Sequence, residues 1–366
     1  MKTVWVNTVN NHYPIDIAPH LMQNTAAFGQ VFNRFAQAVV ITDENVRKLY
    51  GRQLVNQLRQ SGLQTELLSV PPGEPSKSMN QVGKLFTRLI ERQITRQAVI
   101  VALGGGVVGD LAGFVAATYL RGVNLIQVPT TLLAQVDSSV GGKVGINHRL
   151  GKNLIGSFYQ PQHVLIDPYV LQTLEMRERR AGAAEVIKYG LIADSGLFAQ
   201  LETSLEALLD LTDIDFVANV IEQCCRIKAD IVGQDEREQS FRALLNFGHT
   251  VGHALENATQ YRVFLHGEAV AYGMLAALHL SIDSLCSTSL ERAIQLIRRL
   301  SLPPIPQSIT VDQLLSAMQQ DKKRRPSGQT WILLKTIGSA FMSENLPEIR
   351  VRQVLNDVLL ARRVKK

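Results

Sequence analysis

Short apolar runs and helical periodicity alternate through the first half of the chain. TVWVNT, AVVITD, TELLSV, AVIVAL, NLIQVP and HVLIDP are dense in Val, Ile and Leu, the length and composition of strands. Between them, residues 44 to 62 and 78 to 93 space their apolar side chains three and four apart, as a helix with one buried face does. This alternation predicts a mainly parallel sheet covered by helices. From about residue 177 the strand runs stop, and helices are predicted at about 197 to 210, 214 to 233, 240 to 257 and 266 to 287. The one late strand signal is TWILLKTIG at 330 to 338. The expectation is an α/β fold over 1–176 followed by an α-helical domain over 177–366. With no internal repeat and no low-complexity linker between them, the two are expected to be tightly apposed around a cleft.

One predicted helix breaks the apolar rule. In NFGHTVGHALE, His249 and His253 lie four apart, and stepping back by helical spacing gives Asn246 and Arg242. That seam is normally apolar. A lone helical histidine is commonly satisfied by a carbonyl, but four polar groups in register, flanked by Leu244, Leu245, Phe247, Val251 and Ala254, point to a buried or semi-buried site. AGAAEVIKYG places Glu185 and Lys188 three apart on another small-residue helix, and LHGEAVAYG opens a third with His266. Glu185 with Lys188 alone reads equally as a surface ion pair. One carboxylate with two imidazoles, Glu185, His249 and His266, makes a three-ligand zinc set that leaves a fourth position for a substrate oxygen.

Glycines mark the first half. VIVALGGGVVGDLAGF runs from a strand into Gly104, Gly105 and Gly106 and then a helix. Backbone of this kind approaches a pyrophosphate closely, and the helix N-terminus adds its amides. The spacing is not G-x-G-x-x-G, so the usual dinucleotide fingerprint is absent. Other strand ends carry Asp43, Gly73, Glu74 with Lys77, and Thr130 with Thr131, and such ends converge on the ligand crevice of an open α/β sheet. AQVDSSVGGKVGINHRLGKNLIGSFYQP is predicted as a loop able to wrap a small molecule, with Lys143, Lys152 and Asn153 as donors to phosphate or carboxylate.

Composition narrows the class. At 366 residues, 46% hydrophobic and 19% charged, the chain is an ordinary globular protein rather than a disordered one. It has no signal-peptide core and no apolar run of membrane-spanning length, so a cytoplasmic protein without a membrane partner is expected. Cys224, Cys225 and Cys286 lack metal-knuckle spacing and read as small hydrophobes. The net charge of +6 is dispersed except in DKKRRP at 321 to 326 and RRVKK at the C-terminus. Neither run has the aromatic platform of a nucleic-acid site, so no nucleic-acid partner is expected.

Together, LGGGVVGDLAGF, QVPTTLLAQVDSSVGGKVGIN, GKNLIGSFYQP, AEVIKYG, LLNFGHTVGHALE and LHGEAV resemble the 3-dehydroquinate synthase family, in that family's order and spacing from about residue 10 to about 340. The resemblance implies a Rossmann-like NAD domain and a helical domain, with the active site in the cleft holding a divalent metal, usually zinc, with cobalt the alternative. It makes Glu185, His249 and His266 the metal ligands. His253, Lys143, Lys188, Lys228, Arg242 and Asn246 become catalytic, and Lys152, Asn153 and Lys322 or Lys323 bind substrate. NAD falls to Asp43, Gly73, Glu74, Lys77, Gly105, Gly106, Asp110, Thr130, Thr131, Thr173 and the loop lysines Lys143 and Lys152.

The implied reaction turns 3-deoxy-D-arabino-heptulosonate 7-phosphate into 3-dehydroquinate and phosphate, in the shikimate pathway to chorismate and the aromatic amino acids. A lysine- and arginine-rich site suits a substrate with a phosphate and a carboxylate. Alternatives remain another sugar phosphate cyclase, a metal-dependent polyol dehydrogenase, and an inactive relative acting as an interaction module. Asn246 and His253, which related cyclases tend to replace, weigh against the first; the lysine-rich loops weigh against the second. No motif position is lost, which weighs against the third. The oligomeric state stays open, with a homodimer as the candidate.

Overall fold

The computed structural model describes residues 1–322, 330–344 and 346–361. Its strands are β1 (Lys2–Asn7), β2 (His12–Ile17), β3 (Gln37–Asp43), β4 (Gln64–Val70), β5 (Val99–Gly104), β6 (Asn124–Pro129), β7 (Lys143–His148), β8 (Gly151–Phe158), β9 (His163–Ile166), β10 (Thr330–Thr336) and β11 (Ser339–Glu344). The chain divides into two compact units, one of residues 1–174 with 211–237, the other of 175–210 with 238–366.

In the first unit seven strands form one sheet in the order β1-β2-β9-β6-β5-β3-β4. Pairing is parallel throughout except for β1 against β2. The apolar runs are continuous because both faces are covered. Val39, Ile41, Ile100 and Ala102 turn to one face, where Val82, Leu85 and Leu89 of Met79–Glu91 and Leu111 and Val115 of Gly106–Thr118 meet them. Their sequence neighbours Ala38, Val40, Val99 and Val101 turn to the other, against Phe28, Leu54 and Leu58. From β3 the chain steps out to β4, then crosses back to β5 and continues to β6. The reversal lies between β3 and β5, where open α/β sheets bind ligands beyond the carboxyl ends of the strands.

Two expectations need correction here. Within residues 134 to 161, predicted as a loop, Lys143–His148 and Gly151–Phe158 form the antiparallel hairpin β7–β8; its glycines weaken the strand pattern, while Val144 and Ile146 are buried. The helix Ile214–Gln234, expected in a continuous helical domain over 177–366, belongs to the first unit. It covers β1, whose Val4 and Val6 are buried while Thr3 and Trp5 are not, and Lys2 pairs with Glu222 at 2.6 Å.

The second unit contains the helices Met176–Ile192, Ser195–Asp210, His249–Ala258, His266–Leu280, Ser287–Arg298, Val311–Lys322 and Glu348–Ala361, with the β10–β11 hairpin. Burial runs round almost the whole of His266–Leu280, which marks it as the central helix. The helix predicted to reach 287 stops at Leu280, where the Ser281 hydroxyl accepts from Leu334 N–H at 3.0 Å and the Ser284 hydroxyl donates to Leu334 C=O at 2.8 Å.

Candidate metal centre and cofactor turns

Glycines bring three helices of the second unit into close contact. A Cβ on Gly267 would lie 1.9 Å from the carbonyl oxygen of Ala181, one turn before Glu185. A Cβ on Gly273 would lie 1.7 Å from the carbonyl oxygen of Gly248, and one on Gly252 would lie 3.1 Å from that of Ala269. Only residues without side chains allow these approaches. They set Met176–Ile192, His249–Ala258 and His266–Leu280 side by side, with one candidate ligand on each.

Glu185, His249 and His266 each offer a donor atom, and the three atoms lie within 4.8 Å of one another. Glu185 Oε1 is 3.8 Å from His249 Nε2 and 3.7 Å from His266 Nε2. Glu185 and Lys188 are 1% exposed and form an ion pair, so the surface-pair alternative does not apply to them. Lys188 pairs with Oε2, while Glu185 Oε1, facing the two imidazoles, has no hydrogen-bond partner, and a buried unpaired carboxylate oxygen is costly. Burial, then the neighbouring charges of Lys188, His266 and His253, push His249 well below the usual histidine range. It is therefore neutral, as a ligand must be. Its Nδ1 lies 3.2 Å from the Phe247 carbonyl and His266 Nδ1 lies 3.4 Å from Glu256 Oε2, contacts of the kind that orient metal-bound imidazoles. A carboxylate with two imidazoles, flanked by such partners, fits a zinc-type ion.

The polar stripe from Arg242 to His253 is not one helix. Phe241–Asn246 is a 3-10 turn, Gly248 takes φ 81°, and the α-helix starts at His249. A Cβ on Gly248 would lie 2.7 Å from Met274 N and 2.8 Å from Val270 O, so the packing against His266–Leu280 forces the break. Asn246, His249, Thr250 and His253 still line one cavity with Thr330 and Ile332. The His253 ring lies 5.4 Å from that of His249 and 5.9 Å from that of His266. Arg242 is buried, and Asn246 Nδ2 donates to Glu238 Oε1 at 2.5 Å. Lys322 ends a helix, with its side chain outside the description, and Lys323 lies outside the described residues.

The other candidates sit in the first unit. Gly104 ends β5 and Gly105 follows it at the switch point, and Gly106 opens a helix whose N-terminus has no side-chain cap. A Cβ on Gly105 would lie 2.9 Å from Thr131 Cγ2, and one on Gly106 would lie 3.1 Å from Ser138 Oγ, so side chains there would fill the cradle. Open amides at a helix N-terminus suit a pyrophosphate. Across the switch point, Asp43 ends β3 and accepts from Asn45 and Val46 N–H. Gly73 at φ 94° leads into Glu74. Thr130 N–H donates to Gly104 C=O at 3.0 Å, and the Thr131 hydroxyl accepts from Ala134 N–H at 3.2 Å. Thr173 Oγ1 lies 2.8 Å from the Tyr50 hydroxyl.

Lys77, 4% exposed, donates to Asp110 at 2.6 Å and to Asn153 Oδ1 at 2.5 Å. Burial raises the Asp110 carboxyl, against the lowering effect of Lys77. Lys228 pairs with Asp137 Oδ1 at 2.9 Å. Lys143 is exposed at the start of β7, and Lys152 is half-buried on β8.

Sequence reasoning passed over Glu256, Glu238 and Asp137, the partners of His266, Asn246 and Lys228. Only Glu256 had a periodic signal, seven residues beyond His249 on the same helix.

The family model described as 3-dehydroquinate synthase N-terminal matches residues 67–181, and that described as 3-dehydroquinate synthase C-terminal matches residues 182–324. The 3-dehydroquinate synthase of Desulforamulus reducens is 44% identical over 359 residues, covering 97% of this chain and all of the relative. That of Acidithiobacillus ferrooxidans is 44% identical over 357 residues, covering 97% and 98%. Among solved structures, the 2-epi-5-epi-valiolone synthase of Streptomyces hygroscopicus, with NAD+ and Zn2+ bound, superposes with a TM-score of 0.88 at 27% identity, over 99% of this chain and 100% of its own. A 2-deoxy-scyllo-inosose synthase complexed with carbaglucose-6-phosphate, NAD+ and Co2+ superposes at 0.87 with 26% identity, over 97% and 99%. An iron-containing alcohol dehydrogenase at 14% identity and a TM-score of 0.70 shares the fold. Matched by both family models and alike to relatives along their full length, the chain belongs to the 3-dehydroquinate synthase family.

Proposed function

We propose that the chain is a carbon–oxygen lyase that converts 3-deoxy-D-arabino-heptulosonate 7-phosphate into 3-dehydroquinate and phosphate, with NAD+ and a divalent metal, zinc or cobalt, as resident cofactors. The observation that carries this is the Glu185–His249–His266 cluster, three donor atoms within 4.8 Å beside the buried cation Lys188. Glu185, His249 and His266 would hold the metal. NAD+ would lie over the Gly105–Gly106 turn, with Asp43, Gly73, Glu74, Lys77, Asp110, Thr130, Thr131, Thr173, Lys143 and Lys152 as further contacts. When bound, NAD+ takes up and later returns a hydride at the substrate's C5, and the metal polarises the C5 oxygen.

The chain's own side chains supply the rest. His253, whose ring lies 5.4 Å from that of His249 and 5.9 Å from that of His266, takes the proton of the C5 hydroxyl, the general-base role an imidazole fills. Lys143, Lys152, Lys188, Lys228 and Arg242 grip the two anionic ends of the substrate through charge-assisted hydrogen bonds, and Asn153 and Asn246 orient its hydroxyls. With C5 oxidised, the C6 proton is acidic, the substrate's own phosphate removes it, and phosphate leaves. Reduction, ring opening and intramolecular aldol closure complete the carbocycle.

Asn246 and His253 favour this reading over that of a sister cyclase. The test is to offer the heptulosonate phosphate and a heptulose phosphate that lacks the carboxylate side by side, with the products identified. Phosphate and 3-dehydroquinate from the first alone are expected; turnover of the sugar without the carboxylate alone would overturn the reading.

A further inference from the structure

Asn147 has no part in the assignments above, yet it joins the two segments they use. It sits where the β7–β8 ladder loses register, between the pairs Ile146↔Ile155 and His148↔Gly151. Opposite it Asn153 takes φ 54°, a left-handed conformation that Asn tolerates better than most residues. Bulges of this kind free a backbone group and re-aim side chains.

Three hydrogen bonds result. Asn147 N–H donates to Lys77 C=O at 2.8 Å, Asn147 Nδ2 donates to Glu74 Oε1 at 2.8 Å, and Asn147 Oδ1 accepts from Asn153 N–H at 2.9 Å. Lys77 closes the loop, since its ammonium reaches both Asp110 and Asn153 Oδ1. One residue therefore holds the Glu74–Lys77 turn on one side and the backbone of the Lys152–Asn153 bulge on the other.

We infer that Asn147 is a positioning residue that couples the cofactor turn to the substrate hairpin, so that NAD+ binding at Glu74, Lys77 and Asp110 orders Lys152 and Asn153 before substrate arrives. This rests on the proposed assignment of those residues to cofactor and substrate. A contact pair that links two sites makes their affinities reciprocal.

Hydrogen exchange of the full chain, with and without NAD+ and with no substrate present, tests it. In the unmodified protein NAD+ should slow exchange at residues 104 to 110 and also at 151 to 156, the latter by roughly tenfold, an ordinary coupling. In Asn147→Ala the first protection should persist and the second should vanish. Asn147→Asp keeps an acceptor for Asn153 but sets a carboxylate against Glu74, and should behave the same way; it guards against a folding defect in the alanine variant. Steady-state kinetics should show KM for the heptulosonate phosphate rising more than kcat falls. NAD+ protection of 104 to 110 without 151 to 156 in the unmodified protein would overturn the coupling and leave the cofactor reading standing. Protection of neither segment would overturn both. Unchanged hairpin protection in both variants would remove Asn147 from the role.

Discussion

The His249 imidazole is closely enclosed, and burial together with Lys188, His266 and His253 keeps it neutral. The consequence for stability has a definite sign. A histidine whose folded pKa lies below its unfolded value of about 6.5 binds fewer protons folded than unfolded in the window between them, so stability rises with pH through that window. The metal-free protein should therefore lose stability as pH falls below about 6.5, and His249→Gln should flatten that dependence. Urea midpoints compared across pH 5 to 8 check this; an unaltered slope in the variant would assign the dependence to other groups. Metal affinity follows from the same geometry. His266→Ala removes a proposed ligand and should abolish tight metal binding in equilibrium dialysis, and a variant that kept one metal per chain at unaltered affinity would contradict the ligand set. Glu256→Gln leaves all three ligands in place, and because it only frees the His266 ring it should weaken metal affinity by roughly 10- to 100-fold.

At the scale of elements, the centre depends on helices that meet through glycine. A methyl on Gly267 would press on the Ala181 carbonyl at 1.9 Å, so Gly267→Ala should cost about 1–3 kcal/mol of stability and also lower metal affinity by parting the helix of Glu185 from that of His266. Thermal unfolding with a metal titration separates the two effects; a destabilised variant with unchanged metal affinity would show that the glycine contact is packing alone. These elements were unequally legible in the sequence. The parallel strands were plain because each carries apolar residues to both faces of the sheet. The β7–β8 hairpin was hidden because Gly141, Gly142, Gly145 and Gly156 imitate a loop. The helix break at Gly248 was hidden for another reason: periodicity cannot see that Met274 and Val270 lie too close for a side chain there. Glu185, His249 and His266 could be picked out by chemistry and spacing, whereas Glu256, Glu238, Asp137 and Asn147 act through partners distant in sequence or on separate segments.

For the whole molecule, the return of residues 211–237 to the first unit means that Lys228 folds with the sheet although the chain around it reads as part of the helical half. No length or composition signal marks such a crossing. The proposed division of labour puts cofactor turns in one unit and metal ligands in the other. Lys152 is assigned to both substrate and NAD+, with the substrate's anion as its main partner, so Lys152→Ala should cost about 1.5–3 kcal/mol in kcat/KM, the worth of a hydrogen bond to a charged group, with a smaller change in NAD+ affinity; equal losses for both ligands would make it as much a cofactor residue as a substrate one. The central claim is that NAD+ is a catalyst and is not consumed. The direct measurement supplies the heptulosonate phosphate in large molar excess over bound NAD+ and follows absorbance at 340 nm beside a phosphate assay. Many phosphates released per NAD+, with no accumulating NADH, is the expected result; NADH rising mole for mole with phosphate would contradict the account and make the chain a dehydrogenase.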